Sequence, residues 1–152
     1  MALNSDAFLD ATETLLLKLG VFDSVNMHEP KSAPGSGITA SVWIDSIRPI
    51  PRMSGLAATS AHVLLNVRCQ TTLNQEPQNG IDRDLARAVD AVMNATTGDF
   101  DLGDTVALVD LLGAYGPPLE ARAGYLKQDE TTFRVMGISL PLVINNVWVQ
   151  VK

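Results

Sequence analysis

The order of elements in this sequence predicts an α+β fold, an antiparallel or mixed β-sheet packed by two main helices on one face. Two segments carry apolar residues at helical spacing, and five read as strands, in the order helix, two strands, helix, three strands. A doubly wound parallel sheet would alternate strands and helices along its length instead. The 152 residues fit one domain, 1–152, better than two.

Ser5 and Asp6 are in place to cap a first helix running to about Leu19, with Phe8, Ala11, Thr12, Leu15, Leu16 and Leu19 on one stripe. Gly20 stands where a glycine ends a helix. Residues 28–37 hold two Pro, two Gly and two Ser and read as a loop. A strand follows, with Ile38, Ala40, Val42 and Ile44 on one row and Thr39, Ser41, Trp43 and Asp45 on the other. Pro49 and Pro51 then predict an extended loop or long hairpin tip over Ile47–Ala58.

The second strand spans about Thr59–Thr72. Val63, Leu65, Val67 and Cys69 form its inner row; His62, Asn66, Arg68 and Gln70 lie opposite, with Leu64 as the apolar exception. After a polar turn over 75–80, Asp82 is the expected cap of a helix over 82–95 with Leu85, Ala88, Val89, Val92 and Ala95 as its stripe. An acidic loop over 99–104 leads to a strand at Val106–Leu112, broken by Gly113–Pro118. A hairpin closes the chain, Leu119–Leu126 and Thr132–Ile144, with Pro141 predicting an edge or a bulge. Its last strand is apolar on both rows, so it is either central or covered by a neighbouring subunit on one side.

Composition narrows the function. A net charge of −6 argues against binding a phosphate backbone, which takes clustered Lys and Arg. Arg48, Arg52 and Arg68 are single contacts or surface charge. Cys69 is the lone cysteine, so an intrachain disulfide and a four-cysteine zinc site are both excluded. The N-terminus lacks the pattern of a signal peptide, and no apolar run reaches the roughly 20 residues of a membrane span, so a cytoplasm-like compartment and no membrane are expected.

Chemistry-bearing motifs are sparse. His28-Glu29 has Ser32 where a zinc-binding helix needs its second histidine, and Pro30 disfavours the helix. His62, on the polar row of a strand, reads as solvated or interfacial rather than as a general base. Cys69, among apolar neighbours, reads as an inert core thiol. Asp99, Asp101 and Asp104 begin like a calcium loop, but Gly103 falls at its fifth position and Asp104 at its sixth, so the register fails. Neither a phosphate loop nor a nucleophile elbow is present. The reading is a non-enzymatic protein with no cofactor and no metal.

One resemblance covers most of the chain, roughly residues 5–148. Its segments are Asn26–Lys31 into Ala33–Gly37, Ala40–Ile44, Ser54–Ser60 followed by Leu65–Arg68, Thr97–Phe100, Val109–Gly116, Ala123–Leu126 and Phe133–Met136. In that order they resemble the tail-terminator proteins of long-tailed, non-contractile phages of actinobacteria. The resemblance implies a tail-terminator/tail-tube-like α+β fold. It implies a homohexameric ring that caps the tail tube, ends its polymerisation and presents a joining surface to head-completion (neck) proteins. The chain would then reside at the head-proximal end of the virion tail, and in the host cytoplasm before assembly. DNA would pass through the lumen without specific binding, which the acidic balance suits. The last strand's second apolar row would be covered by a neighbour, and Ile47–Met53 would be an arm reaching a tube subunit or the next protomer.

The resemblance brings no catalytic residue. By residue type and position, the interface candidates are Trp43, Arg48, Ile50, Arg52, Met53, Arg68, Met136 and Trp148. Three rivals stand beside this reading. One is another tail or neck component, such as a tube subunit, a head–tail adaptor or a minor tail protein. The second is a small metal-dependent hydrolase using His28, Glu29 or the Asp99–Asp104 loop. The third is a host protein with a small-ligand pocket.

Overall fold

Phe8, Thr12 and Leu16 recur every four residues, and this stripe is what helix α1 (Ser5–Leu19) buries. The computed structural model describes residues 2–30, 37–51, 57–74 and 77–150. The N-cap of α1 is Asn4, whose side-chain oxygen accepts from the Ala7 amide at 3.2 Å, so the cap falls one residue before the expected Ser5. Gly20 ends the helix in the left-handed region at φ 69°, where a side chain would be strained.

A short strand that the sequence pattern does not reveal, β1 (Ser24–Asn26), runs parallel to the start of β2 (Thr39–Ile50). β2 pairs antiparallel with β3 (Ala58–Thr72), and β3 pairs antiparallel with the last strand, β6 (Thr131–Val149). Helix α2 (Ile81–Gly98) follows β3, then the two-residue strand β4 (Leu108–Val109) and β5 (Glu120–Gln128). Among the described residues the sheet order is β1-β2-β3-β6-β4, with β5 also pairing β6. The sheet is mixed, and the fold is α+β.

Four further sequence expectations change. The predicted loop from Ile47 onward is strand as far as Ile50, with a bulge between Ile44 and Ser46. Among the described residues β1 covers β2 only at Thr39–Ser41, so Pro49 lies on an open edge there and displaces no ladder hydrogen bond. The strand expected at Val106–Leu112 shrinks to Leu108–Val109. α2 begins at Ile81 with Gly80 before it and no side-chain cap, rather than at Asp82.

Pro141 is the fourth change: it sits at neither an edge nor a bulge, but inside β6 opposite Leu64. Its carbonyl accepts the Asp110 amide at 3.0 Å on the other side. In an antiparallel strand a residue's N–H and C=O point the same way, so the missing N–H faces the gap where β6 changes partner from β5 to β4.

The inner row holds as expected. Val42, Val63, Leu65, Val67, Cys69, Ile138, Leu140 and Leu142 form one buried cluster with Phe8 and Leu16 of α1 and Leu85, Val89 and Val92 of α2. Both helices therefore pack on one face of the sheet. β6 is central, and Pro141 and Val143 on its second face are buried within the chain itself, so no neighbouring subunit is needed to cover them. None of the described helices is long and apolar enough to cross a membrane.

Candidate assembly interface

The sheet face away from the helices carries the polar row, and β2 and β3 place Trp43 and Arg68 next to each other on it. Ser41 lies opposite Arg68 and Trp43 opposite Asn66, so the Trp43 ring and the Arg68 side chain meet on the diagonal. The guanidinium carbon stands 4.7 Å from the indole centroid. Arg68 Nη2 also reaches Glu29 Oε1 at 3.8 Å, bringing in the segment after β1. Beside them, Asn66 Nδ2 donates to Asp45 Oδ1 at 3.2 Å. The stack is worth about 0.5–1 kcal/mol at such a partly exposed site, and the pair with exposed Glu29 adds little through solvent screening.

The same face is less wet than its residue types suggest. His62, Gln70 and Ser41 are fully buried. Among the described residues, both His62 ring nitrogens, the Gln70 amide and Ser41 Oγ lack a hydrogen-bond partner. His62 is therefore not the solvated histidine the alternation implies. Residues 110–118 fold over it. The Asp110 carboxylate accepts the backbone amides of Ala114 and Tyr115 at 2.8 and 2.9 Å, which closes the loop on itself. The turn lays Gly116 against the imidazole, and Asp110 Oδ2 stands 3.7 Å from Nε2.

Burial holds His62 below its ordinary value of 6.5, Arg48 opposite it on β2 lowers it further, and Asp110 partly opposes both. The imidazole is thus neutral near pH 7.

The interface candidates separate. Trp43 and Arg68 are brought together, and exposed Arg48 lies on the same face two residues beyond the bulge. Ile50 is 2% exposed and covered by its own chain. Met136 packs against the core cluster on the helix side, so it does not share a surface with Trp43. Trp148, 37% exposed, lies near the far end of β6 opposite Thr59. Arg52 and Met53 lie outside the described residues.

The chemistry candidates do not converge. His28 is exposed, and its Nδ1 faces the Glu29 carbonyl oxygen at 3.2 Å. Asp99 caps its own turn, accepting the Gly103 amide at 3.1 Å, while Leu102 tucks into the core. Among the described residues no three His, Cys, Asp or Glu side chains gather to hold a metal. Burial pushes the Cys69 thiol up to about 12. Sequence reasoning missed the Asp110 turn; the Gly113-x-x-Gly116-Pro117-Pro118 run was its one local signal.

These residues define an α+β domain whose second sheet face carries an aromatic–cation pair beside a loop-covered polar row. No family model matches the chain, and no curated protein matches it. One solved structure similar in fold is the sheath/tube terminator of an extracellular contractile injection system in its extended state. The TM-score is 0.38 and the identity 10%, over 99% of this chain. The chain spans 60% of that protein's length.

Proposed function

We propose that this chain is a single-domain structural subunit of a phage tail that closes into a ring, caps the tail tube and ends its polymerisation. Its opposite surface would receive the head-completion proteins, placing it at the head-proximal end of the virion tail. The reading rests on the ordered run of tail-terminator-like segments in the sequence. The structural observation that supports it is the Trp43–Arg68 stack. Trp and Arg are the residue types that dominate protein interfaces, and here strand pairing fixes both before any partner arrives. A ring of identical subunits needs a heterologous contact, so a change on one face blocks closure.

Electron microscopy of the purified chain, alone and mixed with tail-tube protein from the same genome, tests the reading. Rings, or tubes capped by this chain at a fixed length, are expected. Tubes that grow without limit from this chain alone would make it a tube subunit instead. A chain that neither binds tubes nor limits them would overturn the proposal.

A further inference from the structure

β5 (Glu120–Gln128) pairs with β6 over all nine of its residues without a bulge. Among the described residues, no strand pairs with its outer edge. The sheet's other edges are blunted. β2 is covered by β1 at its start, bulged between Ile44 and Ser46, and closed by Pro49; β1 has three residues and β4 two. β5 thus offers the longest uninterrupted row of open backbone donors and acceptors in the described fold, with Ala121, Arg122, Ala123 and Tyr125 all exposed. Its outward groups belong to Ala121, Ala123, Tyr125 and Lys127; Gly124 turns its carbonyl towards β6, where it also accepts from Arg134 Nη1 at 3.2 Å.

We propose that this edge takes a second copy of itself, two β5 strands pairing antiparallel about a two-fold axis through Gly124. The observation that selects this occupant is the self-complementarity of the strand. Centring the pair on Gly124 engages all nine residues. It sets Ala123 opposite Tyr125, Ala121 opposite Lys127, Arg122 opposite Leu126 and Glu120 opposite Gln128, which places small against large and no like charges together. Centring on Arg122 would oppose the two Arg122 side chains, and centring on Tyr125 would stack the two largest groups of the strand on each other. A perpendicular two-fold axis keeps each residue on its own sheet face, so both copies' helices cover the same side of a continued sheet.

The contact depends on the strand edge and not on the ring reading. A chain that is monomeric by itself yet caps tubes would overturn this inference and leave that one standing.

The test is symmetric cross-linking of the full chain. Position 124 has room for a side chain, since a Cβ there meets only Val135 Cγ2 at 3.7 Å. Gly124→Cys is expected to form a disulfide-linked dimer on mild oxidation, because the two Cα atoms stand directly opposite. Glu120→Cys is expected not to, its symmetry mate lying roughly 27 Å along the strand. Buried Cys69 is the internal control. Light scattering should then show a dimer weakened roughly two- to thirtyfold by Ala121→Lys, which sets two lysines opposite each other twice, and tightened by Ala121→Glu. Cross-linking at 120 equal to that at 124, a monomer at every concentration, or a dimer indifferent to both Ala121 variants would each overturn the proposal.

Discussion

Gly116 lies on the imidazole of His62: a Cβ added at position 116 would stand 2.7 Å from Nε2 and 2.9 Å from Cδ2. The obstacle is a ring fixed within the sheet, not the free end of a flexible chain. Gly116→Ala is therefore expected to lift the 110–118 loop and cost about 1–3 kcal/mol, read as a lower midpoint in urea with an unchanged slope.

Neutral, buried His62 sets a pH dependence. Its folded value lies below the unfolded 6.5, so between the two the unfolded chain binds a proton that the folded chain refuses. Stability is full above pH 6.5 and falls as the pH drops below it, by at most about 1.4 kcal/mol per pH unit from this group. Urea midpoints at pH 7.5 and 5.5, compared between the native chain and His62→Gln, isolate the contribution. Equal acid loss in both chains would exclude His62 as its source.

Asp110 holds the covering turn through two amides, from Ala114 and Tyr115. Asp110→Ala removes both acceptors and is expected to cost about 1–3 kcal/mol. Asp110→Asn keeps one side-chain oxygen and should cost less. Hydrogen exchange at the 114 and 115 amides should speed up in the same order.

Leu65 sits in the middle of β3, fully buried in the cluster that also holds the apolar stripes of both helices. Leu65→Ala is expected to cost about 2–5 kcal/mol, the transfer loss plus the cavity left behind. Thermal unfolding monitored by circular dichroism checks it.

Trp43 and Arg68 separate folding from assembly. In the monomer a double-alanine cycle is expected to give a coupling of about 0.5–1 kcal/mol. If the pair is an interface anchor, either single substitution should abolish ring formation while the urea midpoint moves little. Rings that persist in the double variant would remove these residues from the contact.

Much of this architecture is local and so legible from spacing alone. The stripe of α1, the Gly20 stop, the Val63–Cys69 row and the stripe of α2 follow from periods of 3.6 and 2, which a residue satisfies through near neighbours. The α+β class and the one-sided placement of the helices follow from those patterns.

What tertiary structure decided is everything that depends on a distant partner. β2 continues through Pro49 because, among the described residues, no strand lies beyond it to need the missing N–H. Pro141 stays inside β6 because the chain changes partner at that residue. Trp43 meets Arg68 only through a register spanning the β2–β3 pairing, and the same packing buries Ile50 and turns half-buried Met136 to the helix side. His62 reads as a wet residue by alternation and is dry because a glycine fifty-four positions later lies on its ring. Periodicity reports which side of a strand a residue faces; whether water reaches that side is set by chain segments far away in sequence.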